Sequence, residues 1–143
     1  DRLPHRCALM SDGDPPSDSF EFETEGAEPL LSATARKLKE SETDTMRVFL
    51  ATKTFEWDLA FAGNWNTLLE ALQLIKPKVA ERLRNLGPVD PKERADALLD
   101  AVKDVKGRFA QALTQTLADG RDFHVPRYLR DGIEWAIGGE AAP

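Results

Sequence analysis

Two short apolar runs, Cys7-Ala8-Leu9-Met10 and Met46-Arg47-Val48-Phe49-Leu50-Ala51, constrain the fold more than any other feature. Each is brief and bounded by polar residues, the pattern of a buried strand. Between them, Leu30, Leu31, Ala35 and Leu38 keep a loose helical period over residues 29–40, and Ser41-Glu42-Thr43-Asp44-Thr45 ends it. A helix between two such strands predicts a βαβ unit, with a parallel sheet and a right-handed crossover. The intervening residues 13–29 are rich in Pro, Ser and Glu and read as a surface loop.

From residue 66 the pattern is helical. Thr67-Leu68-Leu69-Glu70 has the form of a capping box, and Leu68, Leu72, Ile75, Val79, Leu83 and Leu86 mark one face. Pro77 predicts a break just before it, and Gly87-Pro88 ends the element. Asp90-Pro91-Lys92-Glu93 is a strong start signal for the next helix, whose apolar face is Ala95, Leu98, Leu99, Val102 and Val105. Gly107 interrupts it. Phe109, Ala112, Leu113 and Leu117 then carry a helical period to Asp119-Gly120. Val125-Pro126 opens a last helix with Leu129, Ile133, Ala136 and Ile137 on its apolar face and Gly138-Gly139 at its end. The expected fold is α/β, a parallel sheet of few strands with a large helical portion. Two parallel strands do not make a stable sheet alone. Further strands are therefore expected upstream, in keeping with an excised or processed chain that starts at Asp1 without Met.

At 143 residues the chain suffices for one modest domain with a core. No apolar stretch reaches the ~18 residues that a membrane-spanning helix needs, and no signal peptide is visible. The single cysteine, Cys7, excludes an internal disulfide, fits a reducing, cytoplasmic compartment and reads as a packed strand residue. A net charge of −6 argues against a simple basic nucleic-acid binder. The acidity is confined to residues 1–75, with 7 Lys/Arg against 14 Asp/Glu; residues 76–143 carry 12 against 11. Acidic clusters repel phosphate, but they also load metal ions that attract it.

Three groups of residues carry candidate chemistry. Asp12-Gly13-Asp14 follows the first strand through Ser11. Carboxylates two residues apart on a strand project to the same side, and open α/β sheets bind ligands at the carboxyl ends of their strands. Oxygen ligands of this kind suit a hard cation such as Mg²⁺. The second group, Glu56 and Asp58 in Thr54-Phe55-Glu56-Trp57-Asp58-Leu59, follows the second strand in the same way. Two readings stand for it: carboxylates converging with Asp12 and Asp14 on shared metals, or the first turn of a helix whose acids favour its dipole. If it is helical, Glu56 and Asp58 point apart and Glu56 is the better ligand. The third group is Lys106-Gly107-Arg108-Phe109-Ala110-Gln111. Lys106 beside a glycine at a helix break can approach a phosphate and stabilise developing charge; alternatively, Lys106 and Arg108 form a solvated face. His5 and His124 read as structural or exposed, and Trp57, Trp65 and Trp135 as core or interface residues. There is no glycine-rich phosphate loop, zinc spacing or nucleophile elbow.

The three groups, in this order, resemble a known family. Ala8-Leu9-Met10-Ser11-Asp12-Gly13-Asp14-Pro15 is similar to the Asp-x-Asp strand of a Toprim domain. Lys53-Thr54-Phe55-Glu56-Trp57-Asp58-Leu59-Ala60 resembles the Thr-Leu-Glu-x-Asp-Leu segment of OLD-family (overcoming lysogenization defect) nucleases, with Phe55 in place of the usual Leu. Lys106-Gly107-Arg108-Phe109-Ala110 resembles that family's Lys-Gly-x-Phe-Ala motif. The resemblance implies the C-terminal Toprim region of an ATP-dependent endonuclease that cuts DNA with two Mg²⁺ or Mn²⁺ ions. It implies metal binding by Asp12, Asp14 and Glu56, with Asp58 a further candidate, and transition-state stabilisation by Lys106. It also implies a partial Toprim core over 1–65, a helical insertion over 66–105 and C-terminal Toprim helices over 106–143. ATP would enter only through an N-terminal ATPase region, which is expected as a partner alongside DNA and a possible second copy in a homodimer. Toprim sites also use a Glu from an earlier strand, which would precede Asp1. The chain alone is therefore expected to be weak or dead as a catalyst.

Two other readings are open. One is a Toprim protein of another type, a topoisomerase or primase-like enzyme; Tyr128 is the residue that a topoisomerase would need. The other is a non-catalytic helical module for dimerisation or docking, built on the apolar stripes of residues 68–117.

Overall fold

A computed structural model describes residues 5–15, 31–86, 89–118 and 120–138. Most of the Pro/Ser/Glu-rich stretch, Leu30, the Gly87-Pro88 stop, Asp119 and Gly139 lie outside the described residues. The fold is α/β. Among the described residues it has a two-stranded parallel sheet, β1 (Cys7–Ser11) and β2 (Met46–Leu50), and seven helices. These are α1 (Ala33–Glu40), α2 (Phe55–Phe61), α3 (Trp65–Ile75), α4 (Pro77–Arg84), α5 (Pro91–Val102), α6 (Lys106–Leu117) and α7 (Arg127–Ala136). They form two compact units. One comprises the described parts of Asp1–Phe55 and Pro126–Pro143; the other is Glu56–Val125.

In the sheet unit, the parallel register pairs Cys7 with Met46 and Ser11 with Leu50. The Ser32 hydroxyl accepts from the Ala35 N–H at 3.1 Å and caps α1, which packs on β2. The Val48 N–H on β2 donates to a Glu42 carboxylate oxygen at 2.8 Å, so a side chain closes part of a strand edge. Burial pushes the Glu42 carboxyl up, but the Val48 N–H and the Lys39 ammonium outweigh it and hold the group below the usual carboxylate range.

Helix α7 covers both strands. Its inward residues are Gly132 and Trp135, whereas Ile133 and Ile137 are exposed (52% and 79%). The apolar face expected from Leu129, Ile133, Ala136 and Ile137 is therefore not the one that packs. A Cβ on Gly132 would lie 2.5 Å from the Met10 side chain and 3.2 Å from the Phe49 ring. Close approach of helix to sheet selects the glycine face over the isoleucine face. The guanidinium carbons of Arg6 and Arg47 lie 4.3 and 4.0 Å from the centre of the Trp135 ring. These cation–π contacts give a buried tryptophan charged company. Cys7, the first residue of β1, is exposed, contrary to the packed strand residue expected.

In the helical unit, α3 packs on α4 and α6, and α4 on α5. The core contains Trp57, Leu59, Leu68, Leu69, Leu72, Leu98, Val102 and Phe109, all essentially inaccessible. The break before Pro77 falls at Lys76, whose ammonium donates to the Ala101 carbonyl at 3.0 Å and pairs with Asp104 at 2.6 Å. Asp90 caps α5 through the Glu93 N–H at 3.0 Å, as its sequence signal indicates. The capping box at Thr67 is not used: α3 begins earlier, at Trp65. Among the described residues, no helix is long and apolar enough to cross a membrane.

Candidate functional site

The Asp12-Gly13-Asp14 turn leaves the carboxyl end of β1 beside the segment that leaves β2. The Ala51 N–H extends the ladder by donating to the Ser11 carbonyl at 2.9 Å. The N–H groups of Gly13 and Asp14 then both donate to the Lys53 carbonyl, at 3.1 and 3.0 Å, and the Ser32 N–H donates to the Gly13 carbonyl at 3.1 Å. The backbones come so close that a Cβ on Gly13 would stand 2.3 Å from the Ala51 carbonyl oxygen. Only glycine fits between these two acids.

β1 ends at Ser11, so strand alternation does not set the direction of Asp12 and Asp14. Asp12 accepts the Phe55 N–H at 3.0 Å through Oδ1 and so caps the first residue of α2. Asp14 is exposed and takes a left-handed backbone conformation, φ 39°, which aspartate tolerates better than most residues.

The second acidic group is helical. Glu56 and Asp58 lie in α2 and do not share a helix face. Both are nevertheless buried, at 8% exposure each. That is unusual for first-turn acids, which serve a helix dipole equally well from solvent. Within the helical unit the fold brings Lys106 to Glu56: the ammonium lies 3.2 Å from Oε2. The contact is ionic and is not aligned as a hydrogen bond, since Oε2 is buried without a hydrogen-bond partner. Lys106 reaches this position because it is the first residue of α6, whose neighbouring turn is anchored by the fully buried Phe109. Arg108 and Gln111 of the same motif are exposed.

Sequence reasoning missed the side chains that fix α2. The Trp57 indole N–H donates to Asp96 at 2.8 Å, and its ring stacks on Phe61 at 4.9 Å. Buried Asn64 donates to the carbonyls of Leu59 and His124, at 2.9 and 2.7 Å, and accepts the His124 N–H at 2.7 Å. Its one sequence signal is the preceding Gly63, whose φ of 99° marks a turn. The side chains of His5 and His124 lie on exposed residues, and Trp57 and Trp135 are buried.

Two donor sets thus stand out: Asp12 and Asp14 in the sheet unit, and Glu56 and Asp58, with Lys106, in the helical unit. Among the described residues, no three or more His, Cys, Asp or Glu side chains are already gathered as a cation site. Oε2 of Glu56 is a buried carboxylate oxygen without a hydrogen-bond donor, and the Lys106 ammonium is the cation beside it. Compared with known proteins, the chain matches no family model, no curated protein and no solved structure.

Proposed function

We propose that the chain is the nuclease portion of an OLD-type endonuclease, hydrolysing DNA phosphodiester bonds at a Toprim-like site. Asp12, Asp14 and Glu56 would hold Mg²⁺ or Mn²⁺, with Asp58 as a further acidic group, and Lys106 would stabilise the transition state. The observation that carries this reading is the Glu56–Lys106 contact, with the carboxylate buried and held by the ammonium without an aligned hydrogen bond. Burying a charge costs several kcal/mol unless it is answered. A carboxylate serves a helix dipole equally well from solvent, so the dipole alone does not account for a buried Glu56 paired with Lys106.

The bound ions would activate water and neutralise phosphate charge. The chain's own groups would do the rest. The carboxylates orient the ions, and the Lys106 ammonium sets positive charge against the charge developing on the phosphoryl oxygens. The cut would leave a 3′-hydroxyl end. DNA is the partner in this reading, with an ATP-binding region of the full-length protein supplying nucleotide dependence and a second copy as a further candidate partner. The cytoplasm is the compartment we assign, in keeping with a single cysteine.

The interaction-module reading drew on the apolar stripes of residues 68–117. Leu68, Leu72, Leu98, Val102, Phe109 and Leu113 from those stripes are buried, which leaves them unavailable to a partner. In the intact protein, Asp12→Ala and Glu56→Ala should each abolish Mn²⁺-dependent plasmid nicking while leaving the far-UV circular dichroism unchanged. Nicking retained by both variants would refute the assignment.

A further inference from the structure

We propose that Arg6, Arg47 and Trp135 in the sheet unit form a binding site for a backbone phosphate of DNA, apart from the acidic turn. The site itself stands on its own geometry; it rests on the DNA-cutting reading only for the source of the phosphate. Two observations lead to it. The first is that two guanidiniums share one ring, with their carbons 4.3 and 4.0 Å from the Trp135 ring centre. Arg47 pairs with Ala8 across the ladder, and Arg6 lies two residues before Ala8, so strand alternation sends both arginines to the same face. One arginine on a tryptophan is an ordinary structural contact. A second brings like-charge repulsion that the packing of the ring does not require. Arg47 is exposed and makes no ion pair among the described residues. Its charge acts on the Glu42 carboxyl, but that group is engaged by Lys39 and the Val48 N–H.

The second observation is an unmet donor on that same ring. Trp135 is more than nine-tenths buried, and its Nε1 has no hydrogen-bond partner. An indole N–H only donates, so what it lacks is an acceptor. A guanidinium stacked on a ring spends its flat face there and keeps its forked N–H edge for a planar or tetrahedral oxyanion. The three side chains therefore gather donors and positive charge around one ring. Such a lining repels a cation and leaves an apolar ligand's neighbours unmet; phosphate oxygens satisfy both the forks and the indole. Arg6 lies at the amino end of β1 and Asp12 beyond its carboxyl end, roughly 20 Å away at ~3.3 Å per residue. A phosphate held there positions the duplex and takes no part in the reacting bond.

Titrating the intact, nitrogen-15-labelled protein with a short DNA duplex in EDTA, and separately with inorganic phosphate, tests the site. The readout is the Trp135 indole N–H resonance, identified by its loss in Trp135→Phe. Both ligands should move it in the wild type, and neither should in Arg47→Gln. Arg47→Gln should also bind the duplex about tenfold more weakly at ~50 mM salt and lower the salt slope by about one. Arg47→Lys should keep that slope, since it keeps the charge. Trp135→Phe keeps a ring under the guanidiniums and should weaken binding with no change in slope. An unmoved indole overturns the site, as does a folded Arg47→Gln with wild-type affinity and slope. An indole moved by phosphate but not by the duplex overturns the DNA source. Because EDTA prevents cleavage, these results are independent of nicking. A positive titration in a protein that never nicks DNA with Mn²⁺ upholds the site and overturns the nuclease reading; no duplex binding by the wild type overturns both.

Discussion

The sheet unit and the helical unit hold their acidic residues by different means. The Asp12-Gly13-Asp14 turn is fastened backbone to backbone: three main-chain N–H groups and two carbonyls secure it, and a missing Cβ makes the fit possible. In consequence Asp14 reaches solvent and Asp12 spends one oxygen on a helix N–H. Helix α2 is fastened by side chains instead, through Trp57 on Asp96, Asn64 on Leu59 and His124, and Lys106 on Glu56. Its acids are buried, and Glu56 has the Lys106 ammonium beside it. Backbone fastening tolerates most side-chain changes but no added bulk at its contact point. Side-chain fastening tolerates bulk less narrowly and fails when a polar partner is removed.

This contrast can be broken from either side. Gly13→Ala should have the larger effect, a loss of about 3 kcal/mol, since the new methyl must push apart two backbone segments that have no rotamer to yield. The urea midpoint of unfolding reads it, and a midpoint within error of wild type would mean that the two segments are not held as described. Asn64→Ala should cost less, about 2 kcal/mol, because it strands the buried Leu59 carbonyl but leaves the His124 carbonyl and N–H, which are only partly buried, within reach of water. The same denaturation experiment reads this loss. An Asn64→Ala variant less stable than Gly13→Ala would reverse the ranking of the two fastenings.

Much of the architecture was legible because its signals are local. The two strands and their parallel pairing follow from short apolar runs around a helical period. Pro77, Asp90 and Val125-Pro126 mark breaks and starts that need no knowledge of distant residues. Orientation was less legible. Apolar periodicity nominated Ile133 and Ile137 for the core, but glycine has no hydrophobic weight and Trp135 is stabilised partly by arginines. The buried face of α7 is set by how closely it can approach the sheet, which is a property of Met10 and Phe49 as much as of the helix. The capping box failed for a related reason: α3 is entered from a turn at Gly63, with Asn64 committed to the 121–125 segment. At the candidate site, residue types announced the acids and the lysine. That Glu56 is buried, and that Lys106 rather than Arg108 reaches it, depended on Phe109 anchoring α6.

The central claim is that these carboxylates serve divalent ions, and Mn²⁺ binding measured by calorimetry tests it most directly. Wild type should give a saturable isotherm that the Asp12→Asn/Asp14→Asn double variant loses, with both proteins folded. A wild type that produces no heat, or two superimposable isotherms, would contradict it.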